Sequence, residues 1–297
     1  MDRLAAMSAF VRVVDTGSFS AAARQLRLGQ PAVSRIVAAL ERDLDVRLLS
    51  RTTRRLQPTE AGLSYYEHAR RALDAADEAE QAARGAGAGL SGRLRVSAAV
   101  TFTRLEIVPH LAEFMGRHPA LEIELILDDR NVDLVGEGVD MALRMGRLAD
   151  SAAVARRLAT GRRVVVASPA FAARHGPFTH PEDLRRAPAI ILALSGSGQE
   201  LHFRRGDEPA TVVLEGRIRT TAPEAAREAV LADMGYAVGS IWAVRPELAS
   251  GAMVELLPDW SLPSMDLWAL FPTGRRPSAK ARAFADFVET LMVRSAA

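Results

Sequence analysis

At 297 residues and 48% hydrophobic side chains, the chain is long enough for two or three domains, and no apolar run reaches the roughly 20 residues that cross a bilayer. Cys is absent, which excludes disulfides and thiolate metal sites, and the six His (68, 110, 118, 175, 180, 202) form no H-x-x-x-H or H-E-x-x-H spacing, so neither a metal nor a cofactor is expected. Net charge is only +2, yet residues 1–58 hold ten Arg against five acids, a local +5 that leaves −3 on the rest, the footprint of a phosphate binder.

Leu4, Met7, Phe10, Val11 and Val14 recur at helical spacing, predicting an amphipathic helix over 3–15 that Thr16-Gly17 ends. Ser20 is the expected N-cap of a second helix running to Leu26. After the turn Arg27-Leu28-Gly29, a third helix starts at Gln30-Pro31, where proline costs no hydrogen bond. Its apolar stripe is Val33, Ile36, Val37, Leu40 and Leu44, and Pro31, Ser34, Arg35, Ala38 and Arg42 stand opposite. An apolar back with a small, polar and basic front suits a helix entering the major groove of duplex DNA.

On that front, Gln30 matches an adenine edge and Pro31 a thymine methyl. Arg35 suits guanine or phosphate, and Ser34 a phosphate or a water-bridged base. The basic stretch 48–59 reads as a hairpin whose tip touches the minor groove or backbone. The expected DNA contacts are therefore Ser20, Gln30, Pro31, Ser34, Arg35, Arg51, Thr52 and Arg54. Arg55 is assigned to structure, and Phe19, Ala22 and Ala23 to core packing.

Thr59 can cap a long polar helix to about Arg84, about 39 Å at 1.5 Å per residue. Tyr66, Ala69, Leu73, Ala76 and Ala83 approach 3–4 spacing, interrupted by Glu80, which fits either a short helix pair between two subunits or a solvated connector. Gly85-Ala86-Gly87-Ala88-Gly89-Leu90-Ser91-Gly92 reads as a hinge. Strands are then expected at 94–99, 121–127, 141–145, 163–167, 189–194, 210–219, 236–240 and 267–271. Helices are expected at 103–117, opened by a capping box at Thr103-Arg104-Leu105-Glu106, and at 131–137, 223–234 and 279–292. This alternation predicts open, largely parallel sheets split into two lobes.

The set Ser18-Phe19, Ala21-Ala22-Ala23, Gln30-Pro31-Ala32-Val33-Ser34, Leu40-Glu41, Leu48-Leu49, Arg51 and Leu56…Thr59…Ala61-Gly62 resembles the LysR-type transcriptional regulators. The likeness extends along the chain through Val132-Asp133-Leu134-Val135, Asp140–Gly146, Ala167-Ser168-Pro169-Ala170-Phe171 and Ala237–Gly239. It implies an α/β protein overall: a winged helix-turn-helix at 1–59, a dimerising linker helix at 60–85, a hinge at 86–92, and a two-lobed, periplasmic-binding-protein-like effector domain at 93–297. Lobe I would take about 93–162 and 265–297, and lobe II about 163–264. The resemblance also implies a homodimer or homotetramer on a bipartite, partly palindromic operator, with RNA polymerase as a further partner. Position 29 departs from the family's usual Ser or Thr, since Gly29 brings no capping hydroxyl to the third helix.

In such two-lobed sensors a ligand sits at the carboxyl ends of strands, between lobes. The positions here are Thr101, Phe102, Thr103, Arg144, Met145, Gly146, Ser195, Thr221, Ser240 and Trp242. Thr101 and Thr103 at a helix start favour a carboxylate, Arg144 could pair with it, and Phe102 and Trp242 could stack on a ring. A small organic anion is the expected effector.

An enzyme is not expected, because no G-x-S-x-G, P-loop or G-x-G-x-x-G after a strand is present. The start Met1-Asp2-Arg3-Leu4 has no signal-peptide form, which disfavours an exported solute-binding protein and favours the cytoplasm. An effector-independent architectural DNA binder is the remaining alternative.

Overall fold

The computed structural model describes residues 2–51, 56–84, 89–129, 138–146, 148, 154–193, 200–272 and 277–296. It separates into two compact units, Met1–Gly92 and Arg93–Ala297.

The first unit opens with α1 (Arg3–Thr16), α2 (Phe19–Leu26) and α3 (Gln30–Leu44). Asp2 caps α1 by accepting from the Leu4 and Ala5 amides, and Gly17 closes it in the left-handed region at φ 61°. Ser18, not Ser20, caps α2: its backbone is extended, and its hydroxyl accepts from the Ala21 amide at 3.3 Å. Ser20 already lies inside the first turn, where a helical backbone cannot serve as a cap.

Gly29 precedes α3 without a side-chain cap bond, and Pro31 fills the first turn. Val33, Val37 and Leu40 are buried, with Ile36 and Leu44 packed against the same core. The hairpin strands β1 (Leu49–Arg51) and β2 (Leu56–Pro58) pair antiparallel, Arg51 opposite Leu56.

The long helix α4 (Glu60–Arg84) starts where Thr59 Oγ1 accepts from the Gly62 amide at 2.9 Å. A Cβ on Gly62 would stand 2.0 Å from the Leu48 carbonyl oxygen, so the wing's backbone rests directly on the helix. The stripe expected to pair two subunits is partly spent inside the unit. Ala69 is fully buried, and Tyr65, Tyr66 and Leu73 pack on the core shared with α1. The Tyr66 hydroxyl bonds Asp15 of α1 and accepts from Arg70 Nη1 at 3.1 Å. The side chain of Ala83 lies outside the described residues.

The second unit continues with β3 (Ser91–Ala98), α5 (Val100–Phe102), α6 (Leu111–Arg117), β4 (Ala120–Leu127), β5 (Met141–Met145) and β6 (Val154–Gly161). There follow β7 (Arg163–Ala167), α7 (Pro169–His175), β8 (Ala189–Leu192), β9 (Glu200–Arg205), β10 (Glu208–Val213) and β11 (Ile218–Thr220). The chain ends with α8 (Pro223–Leu231), β12 (Tyr236–Ser240), α9 (Ile241–Ser250), β13 (Val254–Leu256), β14 (Met265–Phe271) and α10 (Ala279–Ala296). One five-stranded sheet has the order β4-β3-β5-β14-β6, a second β11-β8-β12-β7-β13, and β9-β10 form a separate hairpin.

Both sheets are mixed, not largely parallel. β3 runs parallel to β5, and β8 to β11 and β12, but β14 is antiparallel to β5 and β6, and β7 to β12 and β13. The reason is the crossing. Only Arg162 separates β6 from β7, so one extended run leaves the first sheet and enters the second, and β14 returns to the first.

The helix expected at 103–117 starts at Val100 instead and is irregular, with a π turn at Thr103–Ile107 and a 3₁₀ turn at Val108–His110 between α5 and α6. A distant carboxylate starts it: Asp129 Oδ1 accepts from the Val100 amide at 3.1 Å. No capping box forms, since Thr103 lies within the run and Glu106 faces Arg245 at 3.6 Å. The single strand expected at 210–219 is two, β10 and β11. The helix expected at 131–137 lies outside the described residues. The sequence reading missed β6, an edge strand with two Arg, and α9, which carries Pro246 in its interior.

Candidate nucleic-acid interface and effector cleft

On α3, Gln30, Pro31, Arg35 and Arg42 are exposed and Ser34 is half-buried, all on the side opposite Val33, Val37 and Leu40. Arg35 Nε donates to the Pro31 carbonyl at 3.3 Å, which lays the guanidinium along the helix's outer face. Ser20 is exposed in the first turn of α2. Arg51 lies in β1 with its side chain outside the described residues, and Thr52 and Arg54 lie outside them entirely.

One residue of this unit escaped the site reading. Glu41 Oε1 accepts from the Leu48 and Leu49 amides at 2.8 and 3.0 Å, tying the wing's first strand to α3. Its sequence signal was slight, because Glu41 is one of three acids, with Asp43 and Asp45, among the arginines of 35–55.

In the second unit the structure brings Phe102 and Trp242 of the expected pocket residues into contact and sets Thr101 against α8. Thr101, Phe102 and Thr103 are buried. The Thr101 hydroxyl donates to Glu224 Oε1 of α8 at 2.6 Å, and Phe102 meets Trp242 of α9 edge-on at 5.8 Å. Phe102 and Trp242 are only 1% and 4% exposed, so they close on each other and are not open stacking platforms. Trp242 also covers the crossing, since a Cβ on Gly161 would lie 2.8 Å from the indole ring.

Ser240, expected at the carboxyl end of a strand, ends β12 and is also the N-cap of α9, accepting from the Trp242 amide at 3.3 Å. Thr103 Oγ1 is buried without a hydrogen-bond partner among the described residues. Arg144 donates to Ser97 Oγ at 2.8 Å and to the Leu143 carbonyl at 3.1 Å. Met145 and Gly146 end β5, half-buried, and Thr221 is exposed. Ser195 lies outside the described residues.

The electrostatics differ from the sequence expectation. The backbone donor at the start of α5 is already held by Asp129. Burial pushes Asp129 above the usual carboxylate range; Glu224 and Asp128 add to that, while the Val100 amide and Arg144 oppose it. The second sheet contributes a cation that the sequence reading passed over. Arg163 begins β7 in register with Ser240 and is half-buried, and its side chain has no hydrogen bond or ion pair among the described residues. Burial alone drives its pKa down, with no carboxylate to offset it. Its sequence signal was slight, one Arg before Val164-Val165-Val166.

Among the described residues no group of three or more His, Asp or Glu could hold a metal ion, and no helix is long and apolar enough to cross a membrane.

Two family models match the chain: the lysR family of bacterial regulatory helix-turn-helix proteins over residues 4–63, and the LysR substrate binding domain over residues 87–292. An HTH-type transcriptional repressor of Pseudomonas aeruginosa strain UCBPP-PA14 is 35% identical over 296 residues, covering 98% of this chain and 92% of that protein. The transcriptional regulator PtxR of P. aeruginosa PAO1 is 36% identical, covering 93% and 88%. The solved structure of CrgA, a LysR-type transcriptional regulator from Neisseria meningitidis, superimposes with TM-score 0.60 at 30% identity and 98% coverage of both chains.

Proposed function

Because this chain belongs to the LysR family of DNA-binding transcriptional regulators, we propose that it is an effector-gated switch whose ligand is a small organic anion held between the two sheets of its second unit. The DNA-contact set is Gln30, Pro31, Ser34 and Arg35 of α3 with Ser20, Arg51, Thr52 and Arg54. The effector set is Thr101, Phe102, Thr103, Arg144, Met145, Gly146, Ser195, Thr221, Ser240 and Trp242, to which Arg163 is added.

The observation that carries the ligand's charge is Arg163. A partly desolvated guanidinium with no counter-ion among the described residues is costly, and an incoming carboxylate beside Ser240 reduces that cost. Thr101 and Glu224, Phe102 and Trp242, and Glu106 and Arg245 are already in contact across the cleft. Binding therefore acts by shifting those contacts, not by creating the closure.

The protein would work in the cytoplasm as a dimer or tetramer on a bipartite, partly palindromic operator. The ligand would reset the spacing of its DNA-binding pairs and the bend that RNA polymerase meets.

Two measurements test this. In gel-shift titrations at modest ionic strength, the full chain should prefer its own upstream region over scrambled DNA; equal binding refutes the regulator reading. In thermal melts at fixed ionic strength with acetate, malonate and benzoate, Arg163→Met should lose the anion-dependent rise in Tm that the parent shows. Matching responses from both proteins refute the assignment of Arg163 and leave DNA binding untouched.

A further inference from the structure

We propose that Arg27, in the turn between α2 and α3, grips a DNA phosphate beside the leading end of α3. This rests on the reading of α3 as the helix that enters the groove.

Arg27 closes α2 from the left-handed region, at φ 54°. Backbone alone makes the closure. The Arg27 amide donates to the Arg24 carbonyl at 3.3 Å, and the Leu28 amide to the Ala23 carbonyl at 3.0 Å. Glycine does this without steric cost, as Gly17 does at the end of α1. Any larger L-residue crowds its Cβ against the following carbonyl.

The other non-glycine residues described in this region are Asp45, Asp233 and Leu257. Each has a reason inside the fold. Aspartate tolerates the conformation because its short polar side chain bonds locally, and Asp233 accepts a hydrogen bond from Ser168 Oγ. Leu257 packs in the core of the second unit. Arg27 has no such reason: its side chain is exposed and makes no hydrogen bond, ion pair or ring contact among the described residues. The use of the guanidinium therefore lies outside the chain.

Position says what it meets. Arg27 stands three residues before Gln30, within about 11 Å even along a fully extended chain. It thus flanks the end of α3 whose side chains face bases, where phosphates border the groove. Gly29, between them, brings no side-chain cap to that end. Arg24 differs, since a cation in the last turn of α2 complements the helix dipole. A guanidinium fork matches a phosphate by paired hydrogen bonds. Such a contact sets how α3 lies in the groove and reads no base.

The test is titration of the full chain onto its own upstream region and onto a scrambled fragment over a range of salt, with thermal melts alongside. Arg27→Gly should weaken binding to both DNAs by about fivefold to tenfold near 0.1 M salt, and make the slope of log K against log salt shallower by about 0.9. Its Tm should be no lower than the parent's, because glycine relieves the left-handed strain. Arg27→Lys keeps the charge and should keep the parent's slope. Parent-like affinity and slope in Arg27→Gly overturn the proposal, as does an Arg27→Lys slope that matches Arg27→Gly. Loss confined to the upstream region overturns it too, because Arg27 would then be reading a base. A lower Tm in Arg27→Gly would mean that the arginine serves the α2 dipole, which also overturns it. The parent's own preference for the upstream region is read from the same titrations, so failure of the regulator reading stays distinct.

Discussion

The two units solve the problem of holding polar groups in opposite ways. In Met1–Gly92 most partners are near in sequence: Ser18 caps its own helix, Glu41 reaches seven and eight residues to the wing, and Thr59 caps three residues on. In Arg93–Ala297 the corresponding bonds join distant segments. Thr101 meets Glu224 123 residues away, and Asp129 caps a helix 29 residues back. A DNA-reading surface is thus specified by local pattern, whereas a ligand cleft is specified by topology. Contacts of the second kind can be exchanged for a ligand without unfolding any one element.

Breaking the local design should have the largest effect. Gly62→Val places a side chain against the Leu48 carbonyl, 2.0 Å from the new Cβ. Backbone on both sides blocks relief, so we expect a loss of about 4 kcal/mol or more and no operator binding. Even Gly62→Ala should destabilise, although alanine is worth about 1 kcal/mol in an ordinary helix interior. Thermal melts with gel shifts check this; a stabilised alanine variant would show that the wing is not seated on α4.

Next comes Glu41→Ala, which strips the acceptor from two amides and should cost roughly 2–4 kcal/mol. Glu41→Gln keeps an oxygen acceptor and should recover most of that in the same melts. Arg35→Ala should leave the fold intact and lower discrimination at one base position per half-site by about 1–3 kcal/mol, read from binding to operator variants. Arg54→Ala should instead weaken all sequences evenly and reduce the salt slope by about one. If Arg35→Ala behaved like Arg54→Ala, α3 would be gripping phosphate, not reading bases.

The same contrast governs what the sequence reveals. The stripe of α3 and the bounds of β5, β7 and β12 follow directly from periodicity. The capping box at Thr103 does not, because the start of that helix is set by Asp129, which no local pattern announces. Ser240 and Trp242 are legible as site candidates but not as the first turn of α9, since Pro246 masks the helix. Trp242 reads as a stacking surface until its partner Phe102 and its cover over Gly161 are placed. Arg163 carries little signal, because nothing in Arg163-Val164-Val165-Val166 announces that its side chain has no counter-ion among the described residues.

The smallest predicted effect probes the long-range design at Asp129. The folded chain holds a proton there to higher pH than the unfolded chain does, because the carboxyl is partly buried and faces Glu224 and Asp128. From the unfolded value of about 3.9 up to Asp129's own higher value, rising pH therefore favours unfolding. Asparagine retains the Oδ1 acceptor for the Val100 amide and abolishes the ionisation. Asp129→Asn should match the parent in stability below about pH 4 and exceed it at neutral pH. Solvent screening keeps the gain small, a rise in Tm below roughly 2–4 °C. A variant less stable than the parent at pH 7 would mean that Asp129 is needed as an anion. The cleft would then be built around a carboxylate of its own, and the positive charge that meets it would come from the ligand.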